Sequence, residues 1–295
     1  MSIVWKVRKD GVRQRFNLSP LRGEVKSLYG DGLSSRKVGE KLGISHARVL
    51  KLLKSEDVIR RGIVKSIPSL DYKKLNSYRS YIYGVMCGDG CIFSGVERKK
   101  QWSYRSYIVH LSVKDKDFLD EFVKNFKEVY GFSPNIYYRK RENEKWSNIW
   151  IARIKRKLVY EDLSTYNFSN FWVVPDEVLY SKDHNIISSF LKGVYDSEGS
   201  VCVGSRGASI SFSNISKVGL LQVKLLLGKI GITSSKLGLY QGGKLLRKNP
   251  CYYFHITGLN NYLIFLNKVG FSIKRKEDKL KSHINGLKSM ELTTI

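Results

Sequence analysis

The sequence predicts an α+β fold, with two similar repeats, each an antiparallel sheet with flanking helices, and a small all-α domain. Three observations support this prediction. A segment recurs at a spacing of about 100 residues, strand-like runs and helices follow each other without strict alternation, and a helix–glycine–helix pattern lies near the N-terminus. A chain of 295 residues is also near the upper limit for a single hydrophobic core, so several domains are expected.

Residues 1–66 predict the small all-α domain, of the helix–turn–helix type. The apolar positions of LSSRKVGEKLGISHARVLKLLKSEDVIRR fit two short helices separated by a turn. Gly43 lies where a helix end favours left-handed backbone, and Ser45 can cap the second helix. A preceding helix is expected to end at Gly30 or Gly32. The residues expected to face a DNA groove, rather than only water as in a helical adaptor, are Ser45, His46, Arg48 and Lys51.

Residues 67–76 include a proline and predict a linker, after which the first repeat is expected at 77–175 and the second at 176–295. Each repeat is expected to form a helix, two strands, a helix, two strands and a helix. The strands are expected in runs rich in β-branched and aromatic residues, namely SYIVHLSV, SNIWIARI, ASISFSNI and CYYFHIT. Two similar copies in one chain predict pseudo-twofold symmetry.

The clearest internal match lies at the end of the first helix of each repeat. SYIYGVMCGDGCIF at 80–93 and SFLKGVYDSEGSVCV at 189–203 both contain Gly, four residues, an acid and Gly. The acids are Asp89 and Glu198, which are 109 residues apart. An acid at the same place in both copies indicates a shared chemical role.

Small residues four positions apart lie on one face of each of these helices and let two helix backbones approach closely. We therefore expect the helices, at about 77–88 and 185–197, to pack against each other at the pseudo-twofold axis. Each is expected to end in a left-handed glycine, Gly90 or Gly199. The expected packing positions are Gly84, Gly88, Gly193 and Ser197.

This arrangement places Asp89 and Glu198 at helix C-terminal ends, where a carboxylate faces the negative end of the helix dipole. Two unfavourable acids in matched positions need compensation, which a divalent cation supplies. Mg²⁺ prefers carboxylate and carbonyl oxygens, and the free carbonyls of Gly88 and Ser197 are natural further ligands. Two such acids beside a phosphate suit metal-assisted phosphodiester hydrolysis. The alternative is a pair of exposed acids near glycine turns without a chemical role.

The composition indicates a polyanionic partner. The chain has 52 Lys and Arg against 26 Asp and Glu, a formal charge of +26, of which residues 1–66 carry +10. Phosphate contacts by such cations supply most non-specific affinity for nucleic acid, whereas no basic amphipathic helix indicates a membrane surface. No apolar run could span a membrane, no secretory signal is visible, and four cysteines without a CxxC pair disfavour disulfides and zinc. A reducing, cytoplasmic location is expected, with an organelle left open.

IYGVMCGDG at 82–90 and LKGVYDSEG at 191–199 resemble the two signatures of single-chain LAGLIDADG homing endonucleases, and the resemblance covers about residues 76–285. It implies signature helices at a domain interface, saddle-shaped antiparallel sheets in the DNA major groove, and metal-binding acids at Asp89 and Glu198. It also implies a monomer that cuts a long, specific site in double-stranded DNA with Mg²⁺ or Mn²⁺, as in intron homing.

The chain departs from the family's pattern in two respects. At the sixth signature position, Cys87 is expected to be a small packing residue, and Asp196 is expected to be exposed or bonded locally. In this family a basic residue near the metals often helps to stabilise the transition state, and Lys114 fits that place as a catalytic residue. Its counterpart at an offset of 100 residues is Asn214, so the second repeat lacks a matching lysine. The residues that could substitute are Lys217 and Lys276.

Strands that lie on DNA point alternate side chains at it, and basic residues also cluster in the hairpins between strands. Base contacts are plausible for Arg and Ser side chains, but a phosphate contact is as plausible for each, and the alternative is a solvated face. The expected DNA contacts of the repeats are Arg98, Lys99, Lys100, Arg105, Tyr137, Arg139, Arg141, Arg153, Lys155, Ser211, Ser213, Lys236, Tyr240, Lys244, Arg247 and Lys276.

Two further functions are open on the same fold. One is a transcription regulator that binds DNA without cutting it, and the other is a maturase that assists RNA splicing and binds intron RNA. Retention of both acids favours the endonuclease over the regulator, whereas a maturase can also retain them. The endonuclease is therefore the leading interpretation.

Overall fold

The computed structural model describes residues 3–7, 13–17, 20–58, 66–98, 103–140, 148–204, 207–240 and 249–293. The chain divides into two compact units, one formed by Met1–Val64 and Ser94–Tyr107 and the other by Lys65–Phe93 and Ile108–Ile295. Within the described ranges, no helix is both long enough and apolar enough to cross a membrane.

The N-terminal segment of the first unit begins with two strands and continues with three helices. They are β1 (Ile3–Val7), β2 (Arg13–Asn17), α1 (Leu21–Gly30), α2 (Ser35–Lys41) and α3 (His46–Ser55). The two strands pair antiparallel, so the expectation of an all-α domain is wrong. The physical reason is local, because IVWKV is rich in β-branched and aromatic residues, which favour a strand.

The two short helices expected from the sequence are α2 and α3. Gly43, between them, has a positive φ of 63°, and the Ser45 hydroxyl accepts a hydrogen bond from the backbone N–H of Arg48 at 3.4 Å. Helix α1 ends at Gly30, one of the two expected positions. A small apolar core joins the three helices, and its fully buried aliphatic members are Val25, Val38, Val49, Leu52 and Leu53.

The two repeats have the same order of elements. The first comprises α4 (Ser77–Cys87), β3 (Gly90–Arg98), β4 (Ser103–Val113), α5 (Lys116–Tyr130), β5 (Asn135–Arg139), β6 (Ile149–Ile154) and α6 (Lys157–Leu163). The short helix α7 (Asp176–Leu179) follows. The second comprises α8 (His184–Glu198), β7 (Gly199–Gly204), β8 (Gly207–Asn214), α9 (Lys217–Lys229), β9 (Gly238–Leu239), β10 (Tyr252–Ile256), α10 (Leu259–Lys268) and α11 (Lys274–Thr293).

Each repeat builds one four-stranded antiparallel sheet, with the strand orders β3-β4-β6-β5 and β7-β8-β10-β9. One face of each sheet packs on helices, as the complete burial of Val109 and Leu111 in β4, and of Ile210 and Phe212 in β8, shows. The expected fold class, α+β with two similar repeats, is confirmed. The matching strand orders make the repeats structurally equivalent.

Helices α4 and α8 pack against each other, and one hydrophobic core runs through both repeats. The segment expected as a linker is packed on this core. Ile67 is 9% exposed and belongs to the core cluster, and the Arg79 guanidinium donates a hydrogen bond to the main-chain oxygen of Tyr72. The residues before α4 are therefore held in place.

Candidate functional site

Two glycines allow helices α4 and α8 to cross in backbone contact. A Cβ atom on Gly84 would lie 2.2 Å from the main-chain oxygen of Phe190, and one on Gly193 would lie 2.3 Å from that of Tyr81. The two contacts mirror each other, as contacts across a twofold axis do. Any side chain at either position would therefore separate the helices.

The C-terminal ends of the crossed helices carry the two acids. Asp89 follows the C-cap of α4, and Glu198 is the last residue of α8. A Cβ on Gly88 would lie 2.4 Å from the Ser197 Cβ and 3.1 Å from the Glu198 Cγ, so the two helix ends touch. The pKa of Glu198 is raised chiefly by burial, and the negative charge of Asp89 is the second cause. The two acids form one pair.

The expected left-handed backbone at Gly90 and Gly199 is wrong. Neither is among the described glycines with positive φ, and the two residues begin strands β3 and β7. Glycine is needed here for space. A Cβ on Gly90 would lie 2.5 Å from the Met86 Sδ, and one on Gly199 would lie 2.5 Å from the Tyr195 Cδ1. Each chain segment therefore turns from helix into strand directly over the last helical turn.

Both carboxylates lie where their charge is disfavoured. Burial raises the pKa of Glu198 to about 7, with the charge of Asp89 as the second cause. The pKa of Asp89 is also raised, because the surrounding protein excludes part of the water around its carboxylate. Much of the Asp89 side chain nevertheless stays exposed. Lys276 opposes both shifts, and a hydrogen bond from the Asn214 Nδ2 to the Glu198 Oε1, at 3.3 Å, opposes the second. The protein thus compensates the acid pair only in part.

Lys276 is the cation next to the acid pair, and it is 7% exposed. It lies in the first turn of α11, and its Nζ donates hydrogen bonds to the main-chain oxygens of Tyr195 (3.0 Å) and Asp196 (2.6 Å) near the end of α8. A helix C-terminus favours a cation at this place. Burial lowers the pKa of Lys276 to about 8, and the charges of Asp196 and Asp89 oppose this shift. The expected position of Lys276 on the DNA-contacting surface is wrong, because its ammonium group is buried against the helix end.

The neighbours of Lys276 fix its position. Arg275 donates two hydrogen bonds of 2.7 Å each to the carboxylate of Asp115, which precedes α5. The backbone N–H of Lys274 donates to the Asp117 Oδ2 at 2.7 Å. Paired arginine–carboxylate bonds restrict direction as well as distance. The start of α11 is therefore tied to the first repeat while Lys276 reaches the signature helix of the second.

The residues at the sixth signature position are both buried. Cys87 is 4% exposed and packs as a small residue, and burial keeps its pKa well above the ordinary value. Asp196 is 1% exposed, so the expectation of an exposed or locally bonded side chain is wrong. Its carboxylate accepts hydrogen bonds from the Tyr81 hydroxyl at 2.9 Å and from the Ser272 N–H at 2.7 Å. Asp196 thus joins the two signature helices to the segment before α11.

Lys114, the expected catalytic lysine, is exposed. Its charge affects Asp115, which is not one of the paired acids. The pKa of Asp115 is lowered, chiefly by its hydrogen bond from Arg275, and the charge of Lys114 makes a smaller contribution. Lys276, in contrast, contributes to the pKa shifts of both acids of the pair. The structure therefore brings Lys276 into the electrostatic surroundings of both acids.

The expected correspondence of Lys114 with Asn214 is also wrong. The N-cap positions of α5 and α9 are Asp115 and Ser216, which sets an offset of 101 residues and aligns Lys114 with Ile215. The offset of 100 applies only beyond these helices. Asn214 instead serves the second acid directly, through the hydrogen bond described above.

The acid pair fits a divalent cation that a substrate helps to hold. Among the residues described, no three His, Cys, Asp or Glu side chains lie close enough to hold a metal ion. Mg²⁺ is commonly held by one or two carboxylates, with water and substrate phosphate in its other positions. The protein neutralises the negative charges of Asp89 and Glu198 only in part. A bound divalent cation would supply further positive charge and relieve the repulsion between the two carboxylates. The donor set is therefore suited to Mg²⁺ or Mn²⁺.

A groove of about 790 Å³ opens beside the pair. Gly88, Glu198 and Asn214 line it together with Cys91 and Trp172. The carboxylate of Glu198 can therefore be reached by a ligand from outside the protein.

Each sheet also turns one face away from the core. Cross-strand pairing places His110, Arg153 and Asn135 side by side on that face of the first sheet. The expected DNA contacts on these outward faces are Tyr137, Arg139, Arg153, Ser211 and Ser213, of which Ser211 is buried. Three further expected contacts are exposed and lie just beyond the ends of strands, namely Lys155, Lys236 and Tyr240. In the first unit, the exposed members are Ser45, Lys51, Arg98 and Arg105, and the half-buried ones are His46 and Arg48.

Five expected DNA contacts lie outside the described residues, namely Lys99, Lys100, Arg141, Lys244 and Arg247. Two further outward-facing residues, His110 and His255, are not among the expected contacts. Strand alternation and pairing, followed from Arg153 and Ser211, are enough to find both.

Glu198→Gln is expected to stabilise the metal-free protein at about pH 8 and to change its stability little at pH 4.5. The folded-state pKa of about 7 lies above the ordinary 4.5. The neutral carboxyl therefore makes its full contribution to the free energy of unfolding below pH 4.5, and this contribution is lost as the pH rises through 7. Glutamine stays neutral, so the gain should reach roughly 3 kcal/mol at about pH 8. Urea unfolding in EDTA measures it, with Glu128→Gln on the exposed face of α5 as control. Equal stability of Glu198→Gln and wild type at the higher pH would contradict the buried charge.

Comparisons with known proteins give a family match within the second repeat, which contains Glu198. A family model described as a LAGLIDADG-like domain matches residues 185–270. The uncharacterized protein MJ0398 of Methanocaldococcus jannaschii is 30% identical over 275 residues, which cover 89% of this chain and 92% of that protein. The uncharacterized protein MJ0314 of the same organism is 31% identical over 163 residues. These residues are 54% of this chain and 56% of that protein, so the chain spans about half of the length of MJ0314. The crystal structure of I-DmoI in complex with DNA and Ca is similar with a TM-score of 0.49 and 15% identity, over 72% of this chain and 100% of that one.

Proposed function

The chain belongs to the family of MJ0398 and carries a LAGLIDADG-like domain, and on this premise we propose that it is a metal-dependent endonuclease that cuts double-stranded DNA at a long, specific site. The observation that carries the proposal is the acid pair. Two carboxylates lie at the touching C-terminal ends of two crossed helices, within a chain of net charge +26. A polycation attracts phosphates, and a local acid pair gives a divalent cation a place among them.

Asp89 and Glu198 would hold Mg²⁺ or Mn²⁺ through carboxylate oxygens, with the main-chain oxygens of Gly88 and Ser197 as further ligands. A bound divalent ion lowers the pKa of an attacking water and stabilises the leaving oxygen. Asn214 orients the Glu198 carboxylate by its hydrogen bond of 3.3 Å. The glycine crossing keeps the two acids together.

Lys276 supports the acids without taking a ligand position. Its Nζ is held by the main-chain oxygens of Tyr195 and Asp196, so its charge stays fixed behind the pair. A fixed charge needs no reorganisation when negative charge develops on a reacting phosphate. We assign to Lys276 the supporting role that the sequence suggested for Lys114.

DNA binding would use the outward sheet faces of the repeats, with the helical part of residues 1–66 as an accessory module. Helix α3 and its N-cap residue carry the residues proposed for groove contact there, namely Ser45, His46, Arg48 and Lys51. Both acids lie in one chain, so the enzyme would act as a monomer. Intron homing is the biological role that such an enzyme would serve.

Cleavage of a supercoiled plasmid tests the proposed function. The plasmid carries the joined sequences that flank the gene, and linear product is expected with Mg²⁺ or Mn²⁺ but not with EDTA. A protein that binds this DNA in EDTA and leaves it intact with either metal would be a regulator, and the endonuclease proposal would be wrong.

Lys276→Met is expected to slow cleavage by roughly a hundredfold, because it removes the fixed charge behind the acids. Lys114→Ala should change the rate less than about threefold, since its charge acts on Asp115. Single-turnover cleavage of the same plasmid compares the two variants. A thermal melt serves as control, because Lys276 also binds main-chain oxygens. A larger rate loss in Lys114→Ala than in a folded Lys276→Met would reverse the assignment.

A further inference from the structure

The segment that joins the two repeats forms one wall of the groove beside the acid pair. Residues 164–175 connect α6 to α7. The part at 168–172, the connector loop, lines the groove together with Glu198 and its hydrogen-bond partner Asn214. A ligand that reaches the Glu198 carboxylate through the groove therefore passes the connector loop.

The connector loop is anchored at both ends. At one end, the main-chain oxygen of Trp172 accepts a hydrogen bond from the Ser216 Oγ at 2.6 Å. The Trp172 ring lies so close to α9 that a Cβ on Gly219 would be 2.5 Å from the Trp172 Cζ3. At the other end, the ring of Phe168 packs on that of Tyr83 in α4, with centroids 5.9 Å apart. The loop is thus fixed to the first repeat by Phe168 and to the second by Trp172.

One side chain holds the middle of the connector loop. The Asn167 Nδ2 donates a hydrogen bond to the main-chain oxygen of Phe171 at 3.2 Å. The Asn167 Oδ1 accepts one from the Ser169 N–H at 3.2 Å and one from the Ser169 hydroxyl at 2.6 Å. An Asn side chain that bonds to nearby backbone in this way stabilises a turn. The tip of the loop is therefore ordered before any ligand binds, which lowers the entropic cost of binding.

The tip of the loop presents an aromatic ring and an amide to the groove. Phe171 is 58% exposed and Asn170 is also exposed, whereas the neighbouring rings of Phe168 and Trp172 pack on the hydrophobic core. An exposed ring on an ordered loop offers a large apolar contact at low entropic cost. Asn side chains commonly bond to phosphate oxygens, and sugars are contacted as often as phosphates are in the same backbone. Asn170 and Phe171 therefore match the phosphate and the deoxyribose of a DNA strand.

The equivalent segment of the second repeat is shorter and has no exposed tip. Residues 269–273 connect α10 to α11, and each of these five described residues is buried or half-buried. The acid pair lies at a pseudo-twofold axis, so a duplex bound across it would pass one strand on each side. The connector loop can therefore contact only the strand on its own side, which is the side of Glu198.

We propose, building on the endonuclease function above, that the connector loop positions one of the two DNA strands for cleavage. The Phe171 ring packs on the deoxyribose next to the scissile phosphate on the Glu198 side, and the Asn170 amide donates a hydrogen bond to a neighbouring phosphate oxygen. Both contacts are made to the sugar–phosphate backbone, so they do not depend on the base sequence. The other strand is cut without this support. Phe171 and Asn170 are thus positioning residues for one of the two cuts.

Strand-resolved cleavage tests the inference. A linear duplex that carries the joined sequences flanking the gene has a different fluorophore on each strand, and the full-length protein cuts it with Mg²⁺ under single-turnover conditions. Wild type is expected to cut both strands. Phe171→Ala should slow one cut roughly tenfold or more and the other less than about twofold, because only one phosphate loses its alignment. Asn170→Ala should slow the same strand, and Phe171→Leu, which keeps an apolar side chain, should lose less than Phe171→Ala.

Tyr180→Ala is the matched control, because it removes an aromatic ring that is 73% exposed and does not line the groove. It should leave both rates unchanged. The inference is overturned if Phe171→Ala slows both strands equally or neither of them, or if Asn170→Ala slows the opposite strand. These results would leave the endonuclease function intact, whereas a wild-type protein that cuts neither strand would overturn both.

Discussion

Replacing Asp89 by Asn or Glu198 by Gln is expected to reduce cleavage of both DNA strands by roughly a thousandfold or more. Each substitution removes one of the two carboxylates that would hold the cation, and no third acid is close enough to replace it among the described residues. The contribution of a bound metal to charge stabilisation is several kcal/mol, so its loss gives a rate change of this size. Linearisation of the supercoiled plasmid measures the loss.

DNA affinity should stay within a few-fold in both variants. In EDTA, Asn and Gln only remove a negative charge near the phosphates, which cannot weaken the attraction of the phosphates to the protein. Glu128→Gln, on the exposed face of α5, controls for the loss of one negative charge elsewhere. Addition of Mg²⁺ should raise the melting temperature of wild type more than that of Glu198→Gln, because only the intact pair binds the ion tightly. Continued cutting of both strands by either variant would remove the acids from the mechanism.

Gly84→Ala or Gly193→Ala is expected to destabilise the protein by about 3 kcal/mol or more. A Cβ at these positions would lie 2.2 or 2.3 Å from a main-chain oxygen, and a backbone atom cannot move aside as a side chain can. The helices would have to separate, and their ends carry the acids. Cleavage should therefore fall even where the variant remains folded. Urea unfolding gives the free energy of unfolding, and the plasmid assay gives the activity.

Gly228→Ala is the control for these substitutions. Gly228 lies in α9, has no heavy atom within 4 Å of an added Cβ, and has no positive φ. Alanine there should leave stability unchanged or raise it by up to about 1 kcal/mol, because it restricts the unfolded chain. If Gly84→Ala were no more destabilising than Gly228→Ala, the close helix crossing would be wrong.

Much of the fold was accessible from the sequence because the duplication repeats a complete pattern. The spacing of 109 residues between Asp89 and Glu198, with glycines at matched positions before them, identifies both signature helices. The strand-rich runs identify the sheets. Local chemistry also predicted the turn at Gly43 and the cap at Ser45, because both depend only on neighbouring residues.

The parts that were missed depend on contacts between distant residues. Asp196 is bonded to partners 115 and 76 residues away, which no local pattern reveals. Lys276 was named from the sequence only beside Lys217 as a substitute for a missing lysine, because it approaches the acids from a helix that begins after both sheets are complete. Gly199 has the sequence context of a left-handed helix end, but the space over Tyr195, and not the backbone angle, requires a glycine.

Anomalous diffraction from Mn²⁺ tests the central claim most directly. Crystals of the protein with DNA that carries the joined sequences flanking the gene would be soaked in Mn²⁺, and the anomalous difference map would locate the ion. We expect a peak within about 2.5 Å of a carboxylate oxygen of Asp89 or Glu198 and beside a phosphate of the bound DNA. Mn²⁺ bound elsewhere, with both carboxylates free of metal, would contradict a metal-dependent nuclease site at this acid pair.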